Sequence, residues 1–244
     1  MMNLFKVLAK SLGYELVNRN KNPSLMFHLI DLIERNEIDL ILDVGANVGQ
    51  FSKSIIDAGY KGEIHSFEPV KETFEKLNTA AAEHKNWHVH NFAMGDEIGQ
   101  NEINVTQSSD FSSMLEPTQY AKDRYKNEKN KIEYVETIEI NTIDSFLSSN
   151  ISNLEKRSIF LKTDTQGFDL KVIAGAVKSL NLVRCLLSEV SLIPLYEGMP
   201  HYLESLQTFE SHGFITTGLY PITRNKINLA VIEMDCVMIK NTIS

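Results

Sequence analysis

Two hydrophobic periods alternate along the first ninety residues, and together they predict a doubly wound α/β fold. The apolar run over 40–44 is continuous, which is typical of a strand buried in a parallel sheet. Phe51, Ile55 and Ile56 then follow at helical spacing. Further elements, a strand over 63–68, a helix over 71–84 and a strand over 87–92, complete a βαβαβ pattern.

The pattern changes in the middle of the chain. Ile103–Val105 and Ile132–Ile140 alternate with period two, which predicts an antiparallel pair. The polar stretch between them, 108–130, is predicted to be a lid, a substrate loop or a partly disordered segment. The later elements are predicted as a strand at 159–164, a helix at 168–180, a strand at 185–190, a helix at 201–212 and closing strands at 214–219 and 229–239.

The N-terminal segment predicts two amphipathic helices. Over 3–13 the apolar positions have helical spacing and are Leu4, Val7, Leu8 and Leu12. Ser24 is an expected N-cap for a second helix, whose apolar face comprises Leu25, Leu29, Leu32 and Ile33. We expect this cap to dock on the fold rather than to lie on a membrane surface. The expected division is a cap at 1–37 and one domain at 38–244, with a polar insertion at about 100–140.

Composition narrows the class of protein. The 244 residues are 43% hydrophobic, and 24 basic against 32 acidic side chains give a net charge of −8. An acidic chain is a poor candidate for binding nucleic acid, which requires a basic face. Cys185 and Cys236 make neither a disulfide framework nor a zinc motif, so we expect buried, reduced thiols and a cytoplasmic protein. We expect no signal peptide and no membrane-spanning helix.

Acidic residues occur at the predicted carboxyl ends of the core strands or just beyond them. They are Asp43, Glu68, Asp96, Asp164 and Glu189. Ligands of doubly wound sheets bind at these ends, where the strand order reverses. The arrangement therefore predicts a polar ligand that lies across this edge of the sheet.

The turn after the first strand indicates which ligand. Asp43 begins a D-x-G-x-x-x-G segment containing Gly45 and Gly49, which allow a tight turn and a close approach at the helix start. Asn47 occupies the middle position of the dinucleotide fingerprint, and no Walker lysine is present. A ligand with an adenosine but no diphosphate fits such a turn. Glu68 follows Asp43 by 25 residues, close to the spacing of an acid that binds ribose hydroxyls.

Five segments in this order resemble the FkbM family of S-adenosylmethionine-dependent methyltransferases. They are DVGANVGQF at 43–51, FEP at 67–69, NFAMGD at 91–96, LKTDTQGFD at 161–169 and EVSLIPLYEG at 189–198. The resemblance spans roughly 13–240. Thr163 and Gln166 depart from the family pattern, in which an aliphatic residue and often Glu occupy these positions. The resemblance implies a Rossmann-like class I methyltransferase sheet with helices on both faces, an antiparallel last strand and an N-terminal helical cap.

The resemblance also implies roles for individual residues in binding S-adenosyl-L-methionine. Gly45 and Gly49 would shape the wall for the methionine and ribose part, and Asp43 would hold the methionine ammonium directly or through water. Glu68 would accept the ribose hydroxyls, while Asp96, with Met94 beside it, would contact the adenine. Asn47 and Gln50 would bind the methionine carboxylate or waters near it.

A hydroxyl acceptor requires a general base in addition to alignment. Asp164 is the first candidate for the base or for orienting the acceptor, Glu189 is the second and His201 the third. For His201 a surface position at a helix start is the favoured alternative. Asp164, Asp169 and Glu189 offer an alternative cation site, but we expect no metal, and we attribute His88 and His90 to packing.

The expected function is therefore an O-methyltransferase that acts on a hydroxyl of a sugar, a glycan or a secondary metabolite. The expected partners are a small-molecule or saccharide acceptor and further copies of the chain in a homo-oligomer, without nucleic acid. Two alternatives remain open at this point. One is a nicotinamide-dependent reductase on the same fold, and the other is a non-catalytic module that binds the cofactor.

Overall fold

A computed structural model describes residues 2–14, 16, 18, 21–125 and 131–241. The helices are α1 (Met2–Ser11), α2 (Leu25–Arg35), α3 (Gln50–Asp57), α4 (Lys71–Ala81), α5 (Gln119–Arg124), α6 (Ile143–Asn150), α7 (Asp169–Ala174) and α8 (Tyr202–Ser211). The strands are β1 (Leu40–Val44), β2 (Glu63–Phe67), β3 (Trp87–His90), β4 (Ala93–Met94), β5 (Gly99–Thr106), β6 (Ile132–Asn141), β7 (Ile159–Thr163), β8 (Val183–Ser191), β9 (Phe214–Arg224) and β10 (Val231–Lys240).

The main sheet has seven strands in the order β3-β2-β1-β7-β8-β10-β9. β3, β2, β1, β7 and β8 pair in parallel, whereas β10 runs antiparallel to both β8 and β9. The chain order reverses between β1 and β7, so this edge of the sheet forms the crevice in which such folds bind ligands. The predicted sheet with an antiparallel last strand is confirmed.

Helices cover both faces of the sheet because neighbouring residues of its central strands point to opposite sides. Leu40 and Leu42 belong to a core cluster that also contains side chains of α6, α7 and α8. Ile41 belongs to a second cluster with side chains of α2, α3 and α4. All five residues of β1 are buried, which explains why its sequence is apolar at every position except Asp43 and does not alternate.

The insertion forms a small sheet of its own, in the order β4-β6-β5. β5 and β6 pair antiparallel, as their period-two pattern predicts. Of the polar stretch that follows β5, the structure describes 108–125 as a short 3-10 turn at Ser109–Phe111 followed by α5. The rest of that stretch, 126–130, lies outside the described residues.

The two N-terminal helices differ in their packing. The Ser24 hydroxyl accepts a hydrogen bond from the Phe27 amide as the predicted N-cap of α2, and α2 packs into the second core cluster. In α1, by contrast, Val7 is 66% exposed and Leu8 is similarly exposed, as is Leu12 just beyond the helix. The expectation that this first helix docks on the fold is therefore wrong for these side chains.

The helix predicted over 168–180 is shorter than its periodicity indicates. α7 ends at Ala174, and Gly175 follows it. A Cβ atom at Gly175 would stand 1.9 Å from the carbonyl oxygen of Gly95. The backbone of the insertion thus approaches too closely for any side chain at this point.

None of the described helices is both long enough and apolar enough to cross a bilayer. Cys185 and Cys236 are free and buried, as expected.

Candidate active site

A cavity of about 310 Å³ lies at the carboxyl ends of the central strands. That is the lower end of the size range of small-molecule sites. Its walls come from β1, β2, β7 and β8, from the insertion and from β10. Six of the predicted site residues line it, namely Gly45, Asn47, Glu68, Met94, Asp164 and Glu189.

The turn after β1 packs its backbone against the residue that follows β7. Gly45 has a φ of +71°, and a Cβ atom there would stand 1.8 Å from the carbonyl oxygen of Asp164. The next turn residue in the left-handed region is Asn47, with a φ of +49°. Because the ends of β1 and β7 approach each other this closely at the cavity floor, only glycine fits at position 45.

Glu68, which is predicted to bind ribose hydroxyls, lines the cavity beside Pro69, Ala93 and Met94, and we call this part of the cavity the cofactor end after that prediction. The amides of Asn47 and Val70 each donate a 3.0 Å hydrogen bond to one of its two oxygens. Burial outweighs these bonds and raises the pKa of Glu68 to about 7. Each oxygen keeps a free lone pair, so the ionised group can accept from vicinal hydroxyls of a ribose.

Next to Glu68 the cavity wall is apolar. Pro69, Ala93 and Met94 line one part of it, and Ile103 and Met114 of the insertion line another. A flat heteroaromatic ring suits such a slot better than a charged group does. A carboxylate that can bind ribose hydroxyls, next to an apolar slot, suits a nucleoside. The turn after β1 has neither the dinucleotide fingerprint nor a Walker lysine, so its sequence does not predict a diphosphate site.

The insertion contacts the turn after β1 directly, through the side chain of Asn47. Asn47 Nδ2 donates to Asp110 Oδ1 at 2.7 Å, and the Ser109 hydroxyl donates to Asn47 Oδ1 at 2.8 Å. These two bonds engage both polar atoms of the Asn47 side chain and hold 109–111 over the cavity. The amide keeps one N–H and one lone pair free of these bonds, so its contact with the methionine carboxylate stays a prediction.

Acidic groups form the wall opposite the cofactor end. Asp164 accepts a hydrogen bond from Gln166 Nε2 at 3.1 Å, and its other oxygen lies 3.7 Å from Lys162 Nζ. Glu189 and Glu233 line the same cavity. Burial, and then the charges of Asp164 and Glu233, raise the pKa of Glu189 well above its usual value. Burial also raises the pKa of Glu233.

Asp43 does not reach the cavity. Its side chain has no exposed surface, and one of its oxygens accepts from Ser52 and Ser66. The other oxygen lies 3.1 Å from Lys162 Nζ, which also donates to the Gly45 carbonyl at 2.7 Å. The predicted contact of Asp43 with the methionine ammonium is corrected to a buried ion pair that supports the glycine turn.

Gly49 and Gln50 also lie outside the residues that line the cavity. A Cβ atom at Gly49 would stand 2.7 Å from the Trp87 ring, so packing requires this glycine. Gln50 is exposed and begins α3. The structure does not bring either residue to the cavity, and their cofactor roles stay predictions.

Asp96 and His201 are engaged elsewhere. Asp96 forms a 2.7 Å ion pair with Lys171, which lowers the pKa of the Asp96 carboxyl. His201 is the N-cap residue of α8, and its ring lies beside Tyr202. Neither residue lines the cavity, so the structure does not place them with the other candidates, and the adenine contact and the third candidate base stay predictions.

The sequence reasoning missed Glu233 and Asp110 as cavity residues and Lys162 as the partner of Asp43. Lys162 lies in the segment 161–169, and a lysine in an otherwise apolar strand indicates a buried charge that needs an acidic partner. Glu233 had no such signal, because it enters the site from the antiparallel strand β10.

The doubly wound sheet with its antiparallel last strand, and the acids at its carboxyl edge, are those expected of an S-adenosylmethionine-dependent methyltransferase. The sequence then identifies the family. The profile described as "Methyltransferase FkbM domain" matches residues 43–216, so the chain belongs to the FkbM methyltransferase family. The resemblance seen in its motifs is confirmed, and a nicotinamide-dependent reductase is excluded. S-adenosyl-L-methionine is its cofactor.

Several solved methyltransferase structures are similar at low sequence identity. Magnesium protoporphyrin IX methyltransferase from Synechocystis PCC 6803, with bound cofactor, is 9% identical, with a TM-score of 0.48, over 87% of this chain and 76% of that one. Fibrillarin from Aeropyrum pernix, also with bound cofactor, is 11% identical, with a TM-score of 0.46, over 86% and 74%. No curated protein matches the sequence significantly.

The pKa of Glu68 predicts a pH dependence of cofactor binding. A protonated Glu68 loses acceptor capacity, so affinity should rise with pH as the group ionises around pH 7. Between pH 6 and pH 8 we expect an increase of about tenfold in affinity, measured by calorimetry. In Glu68→Gln, which does not titrate, this increase should be absent. An equal pH dependence in both proteins would contradict the assignment.

Proposed function

We propose that the enzyme methylates a hydroxyl group of a sugar, a glycan or a secondary metabolite. The observation that carries this proposal is the acidic wall of Asp164, Glu189 and Glu233, which shares one cavity with the cofactor end. A hydroxyl is a weak nucleophile and benefits from a base at the moment of transfer. An acid whose pKa lies well above its usual value is suited to that task near neutral pH.

The acidic residues have different roles in the proposed transfer. The cofactor supplies an electrophilic methyl group on a sulfonium. Glu189 accepts the proton of the acceptor hydroxyl, and Glu233 keeps its proton affinity high. Asp164 orients the hydroxyl, because its oxygens are already held by Gln166 and by the nearby Lys162 ammonium.

The remaining lining suits a polyhydroxylated acceptor. Tyr125 and Phe111 offer aromatic surface, with ring centroids 4.7 Å apart. Ser112, Gln166 and Thr223 add hydroxyl and amide groups for hydrogen bonds. The carboxylates that share this cavity oppose a phosphate backbone, so we propose a small-molecule or saccharide acceptor and no nucleic acid.

A reducing compartment such as the cytoplasm suits the enzyme, because both cysteines are free. The division into a cap at 1–37 and a domain at 38–244, and the possible homo-oligomer, stay predictions.

The acceptor class can be tested by radiolabel transfer. The purified chain is incubated with methyl-labelled S-adenosylmethionine and a panel of glycosides, oligosaccharides, phenols, amines and RNA oligonucleotides. We expect label only in hydroxyl compounds, and acid-stable ether linkages in the product. Label confined to amines or RNA would overturn the proposal. Tight cofactor binding without transfer to any compound would favour the non-catalytic alternative.

A further inference from the structure

Four polar side chains on one face of the sheet play no part in the methyltransferase site. Glu63 and His65 alternate along β2, and His88 and His90 alternate along β3. The two strands are parallel, with His65 directly opposite His88. Because alternate residues share a face, the register brings all four together at the edge of the sheet that faces α6.

Three of these side chains present ligand atoms to a common point. Glu63 Oε1 lies 2.9 Å from His65 Nε2 and 3.8 Å from His88 Nε2. The three atoms all lie within 4.8 Å of one another. Tetrahedral ligands at 2.0–2.1 Å from a zinc ion stand about 3.4 Å apart, so small side-chain rotations suffice to bind one.

We propose that Glu63, His65 and His88 form a binding site for a divalent transition metal, with zinc as the best match. Two imidazoles and one carboxylate are a common ligand set for zinc that leaves a fourth position for water. The inference does not depend on the identity of the methyl acceptor.

Groups around the three ligands orient them as the surroundings of a metal site do. Arg157 donates to the second oxygen of Glu63 at 2.8 Å, which leaves Oε1 facing the histidines. The guanidinium is itself paired with Asp39 at 2.7 Å, so its charge is balanced. His65 Nδ1 lies 2.9 Å from His90 Nε2. When His65 donates from Nδ1 to His90, its Nε2 lone pair is free for the metal.

The exposure of the cluster also permits binding. The His88 side chain is 46% exposed, which gives an ion a route from solvent. An ion held here would cross-link the edge strand β3 to β2.

The site is separate from the cofactor cavity. Glu63 is at the amino end of β2, whereas the cavity lies at the carboxyl ends of the strands. From the sequence, His88 and His90 stand on a single strand and are expected to serve packing. The parallel register of β2 and β3 adds Glu63 and His65 to them.

The experiment uses the full chain without an affinity tag, treated with a chelator and then dialysed. Zinc is titrated by calorimetry, and cobalt by its visible absorption, which reports tetrahedral coordination. We expect one ion per chain and an increase in Tm on the order of 5 °C at saturating zinc. His88→Ala removes an exposed ligand and should weaken zinc binding by about 30-fold or more.

His212→Ala, which removes a histidine outside the cluster, should bind zinc like the wild type. Glu63→Gln provides a second test, because it keeps the shape of the side chain and removes the anionic ligand. Absence of stoichiometric zinc binding to the wild type would overturn the site. Wild-type affinity in His88→Ala would do the same, and neither readout depends on methyl transfer.

Discussion

Replacing Glu68 with alanine is expected to lower the affinity for S-adenosylmethionine by about 100-fold or more. The variant removes the buried carboxylate that lines the cavity beside the apolar slot. A hydrogen bond to a charged group contributes about 1.5–3 kcal/mol, and a ribose offers two hydroxyls. Isothermal calorimetry at pH 8, where wild-type Glu68 is ionised, measures the loss directly.

In Glu68→Ala, a loss of folding stability must be distinguished from a loss of cofactor affinity. Glu68 also accepts from the amides of Asn47 and Val70, so alanine leaves two buried donors unpaired, at about 1–3 kcal/mol each. Glu68→Gln keeps the shape and part of the acceptor capacity, so it should bind with intermediate affinity. Glu72→Ala removes an exposed acid from α4 and should bind normally. Unchanged affinity in a folded Glu68→Ala protein would refute the proposed ribose contact.

Substitutions in the acidic wall are expected to reduce turnover more than cofactor affinity. Glu189→Gln removes the proposed base, and general-base catalysis contributes about 10²–10⁴-fold to a rate. Asp164→Asn should also lower kcat, by less than Glu189→Gln, because it disturbs orientation rather than proton transfer. For both variants we expect cofactor affinity within about threefold of wild type, since neither side chain is placed at the ribose.

The pH profile separates the two roles. In the wild type, kcat should rise with pH as the Glu189 carboxyl ionises, because burial and its acidic neighbours raise its pKa. Glu189→Gln should lose this limb, whereas Asp164→Asn should keep it at a lower rate. Wild-type turnover in Glu189→Gln would exclude Glu189 as the base. If kcat of that variant still rose with pH as in the wild type, the rise would belong to another group.

The strand-end reasoning was effective for a physical reason. Carboxyl ends of parallel strands meet at one edge, so residues distant in sequence are brought together there. Glu68, Asp164 and Glu189 were found in this way, and all three line the cavity. The same reasoning failed for Asp43, because its position is at a strand end but its side chain points into the protein, toward Lys162.

The role of the two motif glycines was also ambiguous from the sequence alone. Gly45 and Gly49 belong to one motif, yet one allows the backbones of β1 and β7 to meet and the other makes room for Trp87. A glycine in a sequence indicates that space is scarce. It does not indicate whether a ligand or a neighbouring side chain occupies that space.

By itself, the sequence determined the order of the elements, the doubly wound class and the family, because hydrophobic periodicity and short motifs are local properties. The tertiary structure decided which polar groups share a cavity. Glu233 enters from an antiparallel strand, Asp110 folds back onto Asn47, and Glu63 meets the histidines through strand register. Each of these depends on strand pairing or on chain return over long sequence separations, which no local pattern encodes.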